Sequence, residues 1–231
     1  MKPRLHVTDL LVLLVILLPY LFLAKLYNTL PETVPTHFGA DGRPNDFSNK
    51  ATLWVGISII AAVSALVYLL LRFIPYIDPK KKAKYSADVF NKIAVAVVLL
   101  LSLINCFVIY SAKSGSFSMG GFFPVIFGIF FAFMGNIMHS IKPNYFAGIR
   151  TPWTLESEET WRKTHQFGGK LWFAGGIILA LTGLIIPQKT EIYFLIAILL
   201  IISVWPIVFS YAYFKSIEKR NHQLPKAGNK N

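Results

Sequence analysis

The stretch NYFAGIRTPWTLESEETWRKTHQFGGK, residues 144–170, is the longest polar interruption in the second half of a very apolar chain. An apolar run ends just before it at Ile141, and another begins just after it at Leu171. Its distinctive residues are Arg150, Thr151, Pro152, Trp153 and Trp161. Because the flanking runs have the length and composition of membrane spans, the stretch predicts a folded connector between two membrane helices.

The composition places the whole chain in the membrane class. Of 231 residues, 55% are hydrophobic and 15% are charged, and 19 are Phe, which leaves too little polar surface for a soluble domain of this size. The net charge of +12 is typical of cytosolic loops that lie near anionic headgroups. It does not indicate nucleic-acid binding, which needs a basic face with exposed aromatics on a soluble domain. The single cysteine, Cys106, lies in an apolar run, so no intrachain disulfide forms and we expect inert packing.

Six apolar runs predict an all-α membrane protein with six transmembrane helices. The first run follows Lys2 and Arg4, as in a signal peptide, but its length and the lack of a cleavage site favour an uncleaved helix. The tail after the sixth run is polar and basic. The runs are Leu10–Leu26, Thr52–Ile74, Val89–Tyr110, Met119–Ile141, Leu171–Ile186 and Ile192–Phe214.

The distribution of basic residues predicts the orientation. Six spans put both termini on one side of the membrane. That side has 17 lysines and arginines and the other side has 5; Lys92 is not counted because it lies near a membrane boundary. By the positive-inside rule the termini and the 142–170 connector face the cytosol, whereas the 27–51 loop faces out. We therefore expect a multi-pass protein of the plasma membrane.

Few polar groups lie inside the runs. No Asp, Glu, Lys or Arg is near the middle of any run, which argues against an ion-coupled transporter. Asn105 lies in the third run, and Asn136 and His139 share a face near the cytosolic end of the fourth. Two interpretations stay open for these three residues: interhelical hydrogen bonds, or a functional polar pocket below the cytosolic connector.

Two glycine series repeat every seven residues, so each stays on roughly one face of its helix. Small residues allow close approach of membrane helices, and we therefore predict that the fourth and fifth spans pack face to face. The series are Gly121, Gly128 and Gly135 in the fourth span, and Gly169, Gly176 and Gly183 in the fifth.

The outer loop contains PETVPTHFGADGRPNDFSNK, residues 31–50. Pro35 and Thr33 favour extended backbone, and Asp41-Gly42 is a strong turn signal. His37 with Asp41 supplies two potential metal ligands where a site needs three or four, so we expect a folded cap or binding surface and no metal. Its candidate ligand residues are Pro31, Pro35, His37, Phe38, Gly42 and Pro44.

The inner connector predicts a fixed turn followed by a short helix over residues 156–166. Acidic residues come early and basic ones late, which suits the helix dipole and permits the i,i+4 pairs Glu158–Arg162 and Glu159–Lys163. We expect this helix to lie along the inner surface and to turn into the fifth span near Gly168-Gly169. Arg150 is left with three possible partners: a lipid phosphate, a loop carboxylate or another protein.

Two motifs of the sequence resemble known families. LPETVPTHF at residues 30–38, with Gly42 and Pro44 following, resembles the DUF1648 membrane module. GIRTPWTL at residues 148–155, followed by Glu159, Trp161, Lys163 and Gly168, resembles the SdpI immunity protein family. The inner signature consists of Gly148, Arg150, Thr151, Pro152, Trp153, Thr154 and Trp161. The resemblance implies a DUF1648-like module over residues 1–86, an SdpI-like module over 87–214 and a basic cytosolic tail over 215–231.

The resemblance also implies the function. A bacterial membrane protein of this family protects the cell against an exported toxic peptide, or senses it and signals by capturing a cytosolic repressor. Neither catalytic residues nor a cofactor are expected, and the expected partners are anionic lipid, a secreted peptide, and a repressor or other membrane protein. The alternatives are a transporter, a membrane enzyme that uses groups such as His37 or Arg150, and a scaffold that binds another membrane protein through the glycine faces.

Overall fold

The computed structural model describes residues 6–38, 44–77, 87–114 and 122–223. It confirms an all-α membrane protein with one small hairpin. The elements are α1 (Val7–Leu26), β1 (Thr33–Phe38), β2 (Pro44–Asn49), α2 (Thr52–Ile77), α3 (Ala87–Ser114), α4 (Phe122–Met138), α5 (Pro152–Glu156), α6 (Glu158–Ile185) and α7 (Gln188–Gln223), with a 3₁₀ turn at Tyr27–Thr29.

Within the described ranges, five helices are long and apolar enough to cross a membrane, where the sequence predicted six. These five are α1, α2, α3, α6 and α7. The predicted fourth span appears as α4, an apolar helix of 17 residues, and the first residues of that run lie outside the described part. At 1.5 Å per residue α4 is about 25 Å long, somewhat short of the ~30 Å hydrocarbon core.

The chain forms two groups of helices. The first is a bundle of α1, α2 and α3, and the second joins α4 to α6 and α6 to α7. Many large apolar side chains on these helices point outward, as expected where the solvent is lipid, and Leu184 and Ile185 are more than 70% exposed.

The 33–49 segment forms an antiparallel hairpin at one end of the first bundle. Thr33 lies opposite Asn49, and the register shifts on both sides of His37. Val34 is fully buried and packs with Leu30 against residues at the ends of three helices. The extended backbone predicted at Thr33 and Val34 is therefore observed, and the hairpin is anchored to the bundle through one apolar face.

The connector between α4 and α6 lies at the opposite end of α3. Phe146 and Ala147 pack against Ile74 and Phe90, which lie at the end of α2 and the start of α3. Phe90 and Ala112, the α3 residues at these two contacts, are 22 positions apart, so about 33 Å of helix separates the hairpin from this connector.

The predicted break at Gly168-Gly169 is not observed. The helix that starts at Glu158 continues without interruption through both glycines to Ile185, so the acidic and basic residues 158–166 are the first part of the same helix that forms the fifth span. A separate short helix does precede it, but this is the five-residue α5. The glycines are tolerated inside α6 because they face neighbouring chain: a Cβ at Gly168 would lie 2.7 Å from Cδ1 of Ile149, and one at Gly169 would lie 2.8 Å from the carbonyl oxygen of Gly135.

Candidate functional site

The path of the connector is set by the buried amide of Asn144. Its Oδ1 accepts hydrogen bonds from the backbone N–H groups of Phe146 and Ala147, at 2.7 and 2.8 Å. Its Nδ2 donates to the carbonyls of Lys142 and Ala147. One side chain thus closes the turn from both directions, as an asparagine commonly does in turns.

A clamp then joins the connector to α6. We define it as Gly148, Ile149, Trp161 and His165, together with the carbonyl of Ile141. Gly148 has φ +111°, a conformation that side chains rarely adopt, and a Cβ built there would lie 2.4 Å from Nε2 of His165. Glycine is therefore required at this position both by backbone conformation and by space.

The imidazole of His165 is held by two backbone groups. Its Nε2 accepts the N–H of Ile149 at 3.0 Å, so Nδ1 carries the proton and donates to the carbonyl of Trp161 at 2.8 Å. This arrangement requires the neutral ring, because a doubly protonated imidazole has no acceptor for the N–H of Ile149. The ring is 1% exposed and stacks on the indole of Trp161 with centroids 4.2 Å apart.

The indole of Trp161 closes the clamp on the other side. Its Nε1 donates to the carbonyl of Ile141 at 2.8 Å, and its side chain is 1% exposed. It packs in one apolar cluster with Val89 and Ile93 of α3. Trp161 therefore connects the segment just after α4, the start of α6 and the start of α3.

The Thr-Pro-Trp-Thr segment forms the cap of α5. The hydroxyl of Thr151 accepts from the N–H of Thr154 at 3.2 Å, and the hydroxyl of Thr154 accepts from the N–H of Thr151 at 2.9 Å. Pro152 takes the first helical position, where no N–H is needed. Thr151 also lies 3.1 Å from the hydroxyl of Ser210, which ties the cap to α7.

The two remaining residues of the signature face outward in part. Arg150 is exposed and donates from Nη1 to the carbonyl of Tyr145. The half-buried indole of Trp153 packs on the ring of Tyr211 at 4.9 Å. Arg150 also borders a recess of about 310 Å³ between the connector and α7.

The start of α6 pairs with α7 across the structure. Glu159 accepts from the hydroxyl of Tyr213 at 2.8 Å and forms an ion pair with Arg220 at 3.2 Å. Lys163, which the sequence predicted as the partner of Glu159, forms no ion pair with it in the described part of the chain. Contacts between residues 54 and 61 positions apart therefore replace the local i,i+4 pair.

The glycine series lie at the contact between α4 and α6, which run antiparallel. A Cβ on Gly128 would lie 2.5 Å from the carbonyl oxygen of Gly176, and one on Gly135 would lie 2.6 Å from that of Gly169. The backbones of the two helices thus touch without intervening side chains. Gly183 is buried in α6, and Gly121 lies outside the described residues.

The hairpin exposes two residues of its signature and buries a third. Pro31 and His37 are exposed, and Nδ1 of His37 hydrogen-bonds to Oδ1 of Asn45 across the strands. Pro35 is buried opposite Phe47, whose own side chain is 55% exposed. Phe38 pairs with Pro44 at the end of the ladder, and the predicted turn at Asp41-Gly42 lies outside the described residues.

The polar residues of the spans separate into two places. Asn105 is buried in the first bundle, where its Nδ2 donates to the carbonyl of Ile57 at 3.4 Å. Asn136 and His139 instead border a cleft of about 520 Å³ beside α6, together with Gln166 and Lys170. The structure therefore does not bring Asn105 together with the other two.

Sequence reasoning missed several residues that position these sites. The sequence alone singles out none of Asn144, His165 and Ser210. The i,i+4 spacing of Trp161 and His165 is the one local signal for the clamp. A separate cluster joins α1 to α2, where Asp9 accepts from the hydroxyl of Tyr68 and lies 3.3 Å from Nε of Arg72.

Comparisons with known proteins match both motifs. Residues 140–210 match the SdpI/YfhL protein family, and residues 14–62 match a domain of unknown function, DUF1648. The chain is 24% identical over 205 residues to a protein named Immunity protein SdpI from Bacillus subtilis strain 168, covering 89% of this chain and 95% of that protein. It is 38% identical over 63 residues to an uncharacterized protein of Archaeoglobus fulgidus, covering 26% of this chain and 34% of that protein. No solved structure matches. The resemblance to the SdpI family with an N-terminal DUF1648 module is confirmed, and the chain is a multi-pass membrane protein.

Proposed function

We propose that this SdpI-like membrane protein is a non-enzymatic immunity protein whose outer hairpin contacts an exported toxic peptide. The observation that carries the proposal is the opposite exposure of aromatic and histidine side chains in the hairpin and in the clamp. The hairpin turns His37 and Phe47 outward, whereas the inner signature buries Trp161 and His165 in contacts within the chain. The similarity to a named immunity protein over 89% of the chain supports the same function.

The hairpin has the chemistry of a peptide-binding surface. It combines a large exposed aromatic at Phe47 with an imidazole and an amide at His37 and Asn45. Its underside is fixed by Val34 and by the ion pair of Lys50 with Glu32 at 2.9 Å. A surface that is held rigidly before binding loses less conformational entropy when a ligand docks.

The inner signature serves to hold the second helix group in place. The hydrogen-bonding groups of His165 and the indole N–H of Trp161 are committed to backbone partners. The excess of basic residues on this side supports a cytosolic location. We propose that the clamp fixes the SdpI-like region and that any signal to a cytosolic repressor leaves from this end.

The helix α3 provides a physical connection between the two ends. Near its end, Ile109 and Ala112 pack with Val34 of the hairpin. At its start, Val89 and Ile93 pack with Trp161 of the clamp. A ligand at the hairpin would have to favour one of two positions of α3 for signalling to occur.

The proposed function is tested by complementation. A Bacillus subtilis strain that lacks its own immunity protein is given this chain, the native gene or an empty vector, and is exposed to the secreted peptides of the parent strain. We expect this chain to raise survival above the empty vector. Survival equal to the empty vector, with normal membrane levels and full protection by the native protein, would reject the proposal for these peptides.

A matched pair of hairpin variants locates the contact. His37→Ala is expected to reduce survival at unchanged membrane levels, because it removes an exposed ring. Its control is Thr36→Ala, which alters the adjacent exposed position of the same strand. Equal survival of both variants and the unmodified chain would place the contact elsewhere.

A further inference from the structure

A polar cleft of about 520 Å³ lies beside the clamp, between the end of α4 and residues 166–173 of α6. Its polar walls come from two helices that the glycine contacts bring together. The lining residues are Gly135, Asn136, His139, Gln166, Gly169, Lys170 and Phe173.

The polar groups in this lining are suited to bind an anion. Asn136 and Gln166 each offer an amide N–H₂, His139 offers a ring N–H, and Lys170 contributes the positive charge. The lining contains no carboxylate. Among the described residues, none of these four side chains makes a hydrogen bond or ion pair within the chain, so their donors remain open to a ligand.

The position of the cleft relates it to the membrane boundary. Lys170 is the last charged residue before the apolar sequence that begins at Leu171. One turn further on, Phe173 is 47% exposed, and Ile177 follows at 43% on the same face of α6. The cleft is therefore polar at its mouth and continues into an exposed apolar strip.

The floor of the cleft is formed by backbone. Gly135 and Gly169 meet there, and a Cβ on Gly135 would lie 2.6 Å from the carbonyl oxygen of Gly169. Because neither residue has a side chain, α4 and α6 approach closely there, and donors from both helices border the same cleft.

We propose that this cleft binds the phosphate of an anionic phospholipid, with an acyl chain along Phe173 and Ile177. A phosphate diester presents oxygen acceptors to the amide, imidazole and ammonium donors, and basic pockets between membrane helices bind anionic headgroups in this way. The apolar strip distinguishes a lipid from a free phosphate ion. This site does not depend on the immunity function.

The test uses the full chain purified in a mild detergent and native mass spectrometry. The protein is titrated with phosphatidylglycerol, with diacylglycerol of the same acyl chains, and with phosphatidylglycerol in the presence of inorganic phosphate. We expect phosphatidylglycerol to bind, diacylglycerol to bind much more weakly, and inorganic phosphate at equal concentration not to displace the lipid.

The variants assign binding to the cleft. Lys170→Met keeps the apolar stem but removes the charge, and we expect affinity for phosphatidylglycerol to fall about tenfold, the effect of losing one charge-assisted hydrogen bond. Its control is Lys25→Met, which removes the same charge at the exposed end of α1 and should leave affinity unchanged. If Lys170→Met does not fold, the double variant N136L/Q166L replaces it and should also weaken binding.

Two results would overturn the proposal. Equal lipid affinity of the cleft variants and the unmodified protein would place binding elsewhere. Displacement of the lipid by an equal concentration of inorganic phosphate would assign the cleft to a soluble phosphate compound instead of a phospholipid.

Discussion

The hairpin and the clamp are both formed by signature sequences, but they use their residues in opposite ways. In the hairpin, Phe47 is 55% exposed and His37 reaches only Asn45 across the strands. In the clamp, Trp161 and His165 are each 1% exposed and bind backbone groups of the connector and of α6.

A signature sequence therefore does not by itself mark a ligand site. The inner residues are the more distinctive chemically, since they gather Trp, His, Arg and Thr in a short stretch. Most of these side chains hold the connector turn against α6. The plainer hairpin leaves its aromatic and imidazole groups available, so ligand contact is expected there and stability effects are expected in the clamp.

The largest effect on stability is expected for Gly148→Ala. The new methyl group would combine a strained φ of +111° with a 2.4 Å contact to His165, and together strain and overpacking cost about 2–5 kcal/mol. Thermal unfolding in detergent, followed by Trp fluorescence, should show a clearly lower midpoint. The matched control is Gly56→Ala in α2, where nothing lies within 4 Å, and alanine should be neutral or stabilise the helix by about 0.5–1 kcal/mol. Equal midpoints for the two variants would contradict the clamp geometry.

The next effect is expected at the helix contact that supports the clamp. In Gly176→Ala the Cβ would lie 2.4 Å from the backbone nitrogen of Ala132, so α4 and α6 must separate, at a cost of about 1–3 kcal/mol. In Gly175→Ala the atoms within 4 Å are the side-chain Cγ2 methyls of Ile202 and Ile198, at 2.6 and 3.5 Å, and no backbone atom of another helix lies that close. Unfolding midpoints should therefore fall further for Gly176→Ala, and the reverse order would contradict the close contact of the two helices.

A comparable effect is expected for His165→Phe, which keeps an aromatic ring against Trp161 but removes the acceptor for the N–H of Ile149. A buried donor without a partner costs about 1–3 kcal/mol. Hydrogen exchange at the amide of Ile149 should become faster than in the unmodified protein. His139→Phe is the control, since His139 is exposed and lies outside the clamp, and it should leave this exchange unchanged. Unchanged exchange in His165→Phe would show that the imidazole does not hold the connector.

The smallest effect on stability is expected for His37→Ala in the hairpin. The side chain is exposed, so the unfolding midpoint should stay close to that of Thr36→Ala. Survival in the complementation assay should nevertheless fall for His37→Ala alone. A large loss of stability with no specific loss of protection would reverse the roles assigned to the hairpin and the clamp.

Much of the fold could be predicted because its signals are local. Apolar runs follow from the length of chain needed to cross the bilayer, and extended backbone near Val34 follows from the residues beside it. The seven-residue glycine spacing correctly indicated one face on each helix. The break predicted at Gly168-Gly169 was wrong, because the flexibility of glycine was weighed without the neighbours that pack against both residues in α6.

Composition and short-range spacing are enough to identify a membrane protein and to locate its two signature segments. The tertiary structure is needed to see that Glu159 pairs with Arg220, that His165 accepts the N–H of Ile149, and that Asn136 shares a cleft with Lys170. In each case the partners lie 16 or more residues apart in the chain. Which residues meet depends on the direction in which packed helices point each side chain, and local periodicity does not contain that information.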